Sequence, residues 1–471
     1  MSDTTVPARE LTLDIESPAA GGTSIARHDG QVVFVSGGLP GERVRVVTEA
    51  GPPAKFLRAQ VTEVLEASVL RVPDRRLAFA APGESAQTDV PAAGACRLEV
   101  SGADVTGAEA LGAGFGGMEY AHVELAGSRD LKAEVLSDQL ARIGHIDRDV
   151  EVRPAPGETD GTDWRTRVQL AVDSEGRAGM LAARSHDVIP VTRPPLAAGA
   201  LADLELGRLR LPGLRRLEFA WAGDHGALIV RGTPSPQVLD ELEAWLPRSF
   251  SLLAEADENS EAGRGDRGRR ARGRRRGPRR SGGARLRVVR GGPTLAETVD
   301  GRDFTVAADG FWQVHRQAPS LLSGEVIRAL PDAVDSISDF YCGVGLLGIT
   351  AARAAGAPLF GVEGVEAAIA HARDNAADVE AEFLVRRVDR ARLPDSDVII
   401  LDPPRAGAGK TVTSALIGSA ARTIVYVSCD SATLARDLAR LTDGGFAIES
   451  LTGFDLFPLT AHLETVTVLR R

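Results

Sequence analysis

The stretch "SISDFYCGVGLLGITAARAAG", residues 336–356, constrains the fold of this chain more than any other. An apolar run ends in Asp339-Phe340-Tyr341, glycines follow at 343, 345 and 348, and a helix-like segment begins at once. The G-x-G-x-x-G spacing lets the backbone turn sharply and approach a ligand at the carboxyl end of a strand. The next apolar run, "PLFGVEG", ends in Glu363, whose carboxylate can accept hydrogen bonds from both hydroxyls of a ribose. Strand and helix patterns alternate from there to the C-terminus, which marks a doubly wound α/β sheet. NAD and S-adenosylmethionine both carry such a ribose. These residues alone leave both open, beside an ordinary tight turn.

Two later strand ends narrow the choice. "SDVIILDPPRAGAG" ends a buried run in Asp402-Pro403-Pro404-Arg405, and the prolines stiffen the chain so that a carboxylate sits fixed at the crevice. Amine-directed adenine methyltransferases usually carry an aromatic residue where Arg405 stands, so methylation of an exocyclic amine is disfavoured. A nicotinamide enzyme has no particular need of this strand end. "TIVYVSC" then brings Cys429 to the same edge, and "DSATLARDL" follows as a helix whose N-terminus would help the thiol ionise.

A thiolate in that place suits the chemistry of uracil. Addition to C6 turns the unreactive C5 into a carbon nucleophile for a methyl sulfonium, and a base must then remove the C5 proton. Glu464 in "FDLFPLTAHLETVTVL" is the candidate base. His462 and Glu464, two positions apart in a strand-like run, can share one face. Each also reads as a surface residue at a strand entrance. Cys429 has a bland reading too, as a buried structural thiol, although Asp430 beside it favours an accessible edge.

The rest of the chain is organised around this domain. With 43% hydrophobic and 25% charged residues it reads as a soluble protein of several domains. No apolar run is long enough to span a membrane, and the N-terminus lacks signal-peptide architecture. Three scattered cysteines make neither a disulfide framework nor a zinc site. Residues 9–67 carry short alternating runs between Gly/Pro turns, as in an OB-like barrel. Residues 129–144 have helical periodicity and end in glycine, and β patterns return between 150 and 250, with "SPQVLDELEAWL" as a helix among them. The net charge of −10 hides ten arginines between Arg264 and Arg280. That run has nothing apolar to bury and is expected to be disordered. It reads either as a solubilising linker or as a tether for RNA phosphates.

"DFYCGVG" (339–345), "DPPRAG" (402–407), "VYVSCDSATLARD" (425–437) and "FDLFPLTAHLE" (454–464) together resemble the RNA 5-methyluridine methyltransferases. The four occur in that family's order. The resemblance implies methyl transfer from S-adenosylmethionine to C5 of a uridine in rRNA or tRNA, through a covalent adduct between Cys429 and C6. The implied architecture is α/β: an OB-like TRAM barrel at 8–68, a central α+β RNA-binding domain at 69–300 with the arginine-rich insertion at 255–284, and a Rossmann-like methyltransferase domain at 301–471. Cys429 becomes the expected nucleophile and Glu464 the base. Gln313 in "WQVH", Tyr341, Glu363, Asp389 and Asp402 become expected cofactor contacts. The expected partner is RNA, with no membrane, for a monomer acting in the cytoplasm.

Three departures matter. Many relatives hold an iron–sulfur cluster on four cysteines, but Phe115 and Met118 stand where two of them would be, and Cys96 is left alone. A cluster needs about four thiolates, so none is expected, nor any other metal. His315 replaces an asparagine, and Leu346 stands where some members have a polar cofactor contact. Two rival functions remain. A 5-methylcytidine methyltransferase would place a second cysteine after the prolines, where Arg405 and Ala406 are found. An RNA-binding protein with a relic domain would have lost Cys429 or Glu464.

Overall fold

The computed structural model describes residues 6–79, 114–256 and 285–471. Cys96 and residues 257–284, which hold the whole arginine run, lie outside them. Strands β1 (Glu10–Ala19), β2 (Thr23–His28), β3 (Gln31–Ser36), β4 (Arg43–Thr48) and β5 (Phe56–Glu66) close into a barrel in the order β1-β2-β3-β5-β4. Alternation is the cause. Val33, Val35, Val44, Val46 and Val61 turn inward and are fully buried, while the residues between them face out. This is the OB-like barrel that the sequence predicts. Just beyond it, Arg71 donates two hydrogen bonds to the buried carboxylate of Glu42, at 2.6 and 2.7 Å. Losing either partner would leave a buried charge unpaired, so the pair fixes the barrel on the body of the protein.

Helix α1 (Leu125–Gly144) begins four residues before the predicted start, because the Glu124 side chain accepts from the Gly127 N–H at 2.8 Å and caps it. Its C-terminal glycine also has a different reason from the one its position suggests. His145, at φ 53°, is the left-handed residue that ends the helix. A Cβ on Gly144 would lie 3.0 Å from the carbonyl oxygen of Ala435, so glycine is there to let two helices approach.

Strand β6 (Val152–Pro154) follows, then β7 (Arg167–Val172), β8 (Ala178–Leu181), β9 (Val188–Pro190), β10 (Leu214–Ala222) and β11 (His225–Gly232). Helix α2 (Pro236–Trp245), capped by Ser235, crosses over to β12 (Phe250–Glu255), which pairs parallel with β11; β13 (Leu286–Arg290) closes the edge. The central sheet runs β13-β12-β11-β10-β7-β8-β9. A hairpin of β14 (Thr294–Val299) and β15 (Arg302–Ala307) turns at Asp300-Gly301, both with positive φ.

The C-terminal sheet is built from β16 (Ile337–Phe340), β17 (Leu359–Glu363), β18 (Ala381–Val385), β19 (Val398–Leu401), β20 (Thr423–Ser428), β21 (Ala447–Asp455) and β22 (Glu464–Arg470). Helices α3 (Ala318–Arg328), α4 (Leu346–Ala355), α5 (Glu366–Asn375), α6 (Gly409–Ile417) and α7 (Ser431–Asp443) accompany them. The order is β18-β17-β16-β19-β20-β22-β21-β6. The first five run parallel, and β22 inserts antiparallel beside β20. Every residue of β16, β19 and β20 is buried, as parallel strands covered on both faces should be.

One element sits where the sequence does not place it. The far edge of this sheet is completed by β6, paired parallel to β21 through Gly453, Phe454 and Asp455. Helix α1 packs beside it, with Leu136 and Leu140 in one core with Leu434 and Leu438 of α7. Both elements come from the segment read as the central domain. Their partners lie some three hundred residues later, beyond the reach of local pattern.

Candidate active site

Four strand ends meet at one edge. The parallel strands deliver Tyr341 after β16, Glu363 at the end of β17, Asp402 after β19 and Cys429 after β20. Antiparallel β22 begins there, so its first residue, Glu464, reaches the same edge: Ser428 faces Thr465 across the β20–β22 ladder. Gln313 approaches from the loop after β15 and donates to Asp402 Oδ2 at 3.3 Å. The structure thus brings Cys429, Glu464, Asp402 and Gln313 together, with Tyr341 and Glu363 on neighbouring strand ends.

The electrostatics of this cluster differ from what the sequence predicts. Burial raises the Cys429 thiol, and the nearby carboxylates of Glu464 and Asp402 raise it further, up to about 11; Arg405 pulls the other way. The expected help from the helix N-terminus does not prevail. Asp430 is the reason in part, since its carboxylate is the N-cap of α7, accepting from the Thr433 N–H at 2.9 Å. It marks a helix start, at an edge where the thiol is only half-buried. Glu464 is only 4% exposed; burial and then Asp402 hold its carboxyl well above the usual range. Burial also raises Asp402, against the hydrogen bond from Gln313. Burial, with the nearby charge of Asp402, thus favours the protonated form of Glu464.

His462 reaches the site by another route than strand alternation. β22 starts only at Glu464, and His462 lies in the loop before it, its N–H donating to Thr460 Oγ1. The Arg405 guanidinium donates to His462 Nε2 at 3.1 Å, and burial lowers the imidazole pKa, with Arg405 adding to the effect. A neutral imidazole accepting from arginine results.

A clamp that sequence reading missed holds Arg405 opposite Cys429. Asp437 Oδ2 accepts from the Ala408 N–H at 2.8 Å, the Gly409 N–H at 3.1 Å and the Tyr426 hydroxyl at 2.9 Å. Its other oxygen accepts from Arg440 at 2.7 Å. Thr433 adds a bond from its hydroxyl to the Arg405 carbonyl at 3.1 Å. A Cβ on Gly407 would lie 2.7 Å from Asp437 Oδ2, and its φ is 76°, so the loop tolerates only glycine there. The signal was available: Asp430, Thr433 and Asp437 fall on one face of α7 at helical spacing, a polar stripe on an otherwise apolar inner side. Asp437→Asn keeps one acceptor oxygen for the three donors but sets an amide NH2 against the Arg440 guanidinium and removes the charge that pairs with it. It is expected to lower stability by about 2–4 kcal/mol in urea denaturation. Tyr426→Phe, which removes one donor, should lose about 1 kcal/mol.

The glycine loop forms the other half of the crevice. Asp339 accepts from the Gly348 N–H at 2.8 Å, and burial pushes its carboxyl up to about 8. Gly343 has φ 55°, and a Cβ there would meet nothing within 4 Å, so the turn leaves an open cradle that a side chain would fill. Tyr341 is held at φ 66°, a conformation that typically costs a non-glycine residue about 1–3 kcal/mol. Its N–H donates to the Val362 carbonyl at 2.9 Å, which maintains it. Glu363 accepts from the Val365 N–H at 2.9 Å. Asp389 lies in a short turn (Val388–Arg390) paired with Arg387 at 2.8 Å, an exposed pairing that lowers its pKa. Burial raises the Tyr341 hydroxyl and the charge of Asp389 adds to it, placing the two within electrostatic reach. An open glycine turn flanked by carboxylates fits the adenosine end of S-adenosylmethionine.

The departures noted in the sequence have structural roles. His315 is buried and stacks on Trp164, ring centroids 5.6 Å apart, and its Nδ1 accepts from the Gln317 N–H at 3.0 Å. Burial lowers its pKa to about 4, so it serves as a neutral packing element. Leu346 is buried in the first turn of α4. Phe115 and Met118 are almost fully buried in the core beneath the central sheet.

Comparison with known proteins agrees with this architecture. Residues 374–471 match the model of the tRNA (uracil-5-)-methyltransferase family, and residues 7–65 match the TRAM domain. An RNA methyltransferase of Streptomyces coelicolor is 34% identical, the alignment covering 98% of this chain and 92% of that one. One from Bifidobacterium longum is 31% identical over 97% and 96% of the two chains. Among solved structures, the tRNA (uracil-54, C5)-methyltransferase of Pyrococcus abyssi, in complex with S-adenosyl-L-homocysteine, shares the fold. Its TM-score is 0.66 at 20% identity, covering 98% of this chain and all of that one. With a catalytic-domain match, a TRAM match and relatives matched over more than nine-tenths of their length, the chain belongs to the S-adenosylmethionine-dependent RNA (uracil-5-)-methyltransferase family.

Proposed function

We propose that this enzyme methylates C5 of a uridine in rRNA or tRNA through a covalent adduct between Cys429 and C6. The observation that carries the reading is the meeting of Cys429 and Glu464 at one sheet edge, close enough for the carboxylate to raise the thiol. S-adenosylmethionine supplies the electrophilic methyl when bound. Gln313, Tyr341, Glu363, Asp389 and Asp402 are the residues proposed to hold it. In its thiolate form Cys429 adds to C6, and the electron pair moves to C5 and O4. C5 then takes the methyl group. Glu464, as carboxylate, removes the C5 proton, the C5–C6 double bond reforms and the thiolate leaves. Methylation of cytidine is the less supported reading, since Arg405 and Ala406 occupy the place of a second cysteine. Mapping 5-methyluridine in total RNA from cells with and without the gene tests the proposal. A lost modification at one uridine is expected, and an unchanged map would refute it.

The ionisation states give a pH dependence. The reactive forms, thiolate and carboxylate, both lie on the alkaline side of raised pKa values, so kcat/KM should climb with pH from neutrality upward. Arg405 is a nearby cation that favours the thiolate. Arg405→Gln should move the rising limb to higher pH, and alkylation of Cys429 by iodoacetamide should shift with it. A wild-type alkylation pKa below about 8, near that of a free thiol, would show a thiol activated before substrate binds, contrary to this expectation.

A further inference from the structure

A lysine interrupts the apolar row that α1 turns toward the core. Lys132, Leu136, Leu140 and Gly144 stand four residues apart and are all buried, and the Lys132 side chain is only 1% exposed. Lysine is almost never buried so fully unless it is paired. Its ammonium donates to Asp455 Oδ1 at 2.6 Å and to the Phe457 carbonyl at 3.1 Å.

Both contacts fall on the chain that leads to Glu464. Asp455 closes β21 one residue past Phe454, which faces Glu464 across the β21–β22 ladder, and residues 456–463 connect the two strands. One segment, residues 119–132, grips this connection at alternate positions. Lys132 holds the Phe457 carbonyl, the Tyr120 N–H donates to the Leu459 carbonyl at 3.0 Å, and Glu119 Oε2 accepts from the Ala461 N–H at 3.2 Å. Leu459, in the middle of the grip, sits at φ 64°, a conformation uncommon for a leucine. The Phe457 carbonyl also accepts from the Thr460 N–H at 3.1 Å and the Thr460 hydroxyl at 2.8 Å. That hydroxyl oxygen accepts in turn from the His462 N–H. A chain of hydrogen bonds thus runs from the ammonium to within two residues of Glu464.

We propose that Lys132 is a positioning residue for Glu464: through Asp455 and the Phe457 carbonyl it fixes where β22 begins, and so where the base meets the C5 proton. The inference rests on the reading of Glu464 as that base. A buried ion pair gains little over apolar side chains of similar volume, which leaves position, not stability, as what this one supplies. Position matters because misplacing a reacting group by about 1 Å can cost about 10²-fold in rate.

The test uses the full-length enzyme. K132M alone would leave Asp455 charged and unpaired, so the chief variant is K132M/D455L, with thermal unfolding to show that it is folded. A second buried pair on the same helix, Arg129–Glu158 at 2.5 Å, makes no hydrogen bond to residues 456–463 among the described residues, so R129M/E158L serves as control. K132M/D455L should lower kcat by about 10²-fold, while KM for RNA and the Kd of S-adenosylmethionine stay within a few-fold. The loss falls on C5 proton removal, so a methylated covalent protein–RNA species should build up on denaturing gels. T460V, which cuts the same chain without touching the ion pair, should show that species with a smaller loss, about tenfold. R129M/E158L should keep kcat within about threefold. Added to E464Q, K132M/D455L should cause no further loss, because no base is left to position; a general loosening would multiply the two losses. Wild-type kcat in folded K132M/D455L, an equal loss in R129M/E158L, or multiplied losses with E464Q would each overturn the proposal. So would an adduct that accumulates with E464Q but not with the lysine variant, a result that leaves the base reading intact. Normal turnover by E464Q is the separate failure, and it would end the base reading itself.

Discussion

Cys429→Ala is expected to abolish methyl transfer, lowering kcat by at least about 10⁴-fold, while S-adenosylmethionine still binds within a few-fold of wild type. The size follows from the chemistry. Without addition at C6 there is no enolate carbon at C5, and no neighbouring group can replace the sulfur. Cofactor binding should survive because the proposed contacts lie on the strand ends of β16, β17 and β19 and in the loop carrying Gln313. The thiol is also not a structural keystone: it is half-buried at the start of α7, where Asp430 supplies the cap. Isothermal calorimetry with the cofactor and a tritium-release assay with RNA would separate the two effects. Residual turnover within about tenfold of wild type would rule out Cys429 as the nucleophile.

Glu464→Gln should fail differently. The variant retains Cys429 and can form the adduct and transfer the methyl group, but it has no base for the C5 proton. Loss of a positioned general base typically slows a reaction by about 10²–10⁴-fold, and here the block falls after the covalent step. A protein–RNA species stable in denaturing gels should therefore accumulate with time, and mass spectrometry should find a methylated uridine on the Cys429 peptide. The substitution also removes a buried ionisable group. The raised carboxyl of Glu464 gives the wild-type fold a contribution that is complete at low pH and declines as pH rises toward the folded pKa, so the glutamine variant should gain relative stability in alkaline solution. Normal turnover by Glu464→Gln would mean that another group takes the proton.

The parts of this site that the sequence discloses are those whose cause is local. A glycine turn between strand and helix needs its glycines within a few residues, and Asp402 and Cys429 stand where apolar runs stop, so their edge is legible from the runs themselves. The ionisation of Cys429 was not legible. It depends first on burial and then on Glu464, thirty-five positions away in sequence and near it in space. Asp437 was hidden for a related reason, since a carboxylate inside a helix usually faces water, and only the loop folded over α7 shows what it holds. Gly144 gave a correct helix end for the wrong reason. Its position suggested a left-handed cap, whereas the contact with Ala435 requires the bare backbone.

The strand β6 has a consequence for how the polypeptide is made. It emerges from the ribosome with α1 long before β21 and α7 exist, so both must wait through the synthesis of the central sheet with their apolar surfaces unmatched. Such distant pairing slows folding and prolongs exposure to aggregation. The catalytic third of the molecule is therefore not an autonomous unit. Severed at residue 301 it would keep Cys429 and Glu464 but lose the strand that covers its β21 edge and the helix that covers α7. Nascent chains of this enzyme consequently complete the sheet that carries catalysis only after β22 has left the exit tunnel.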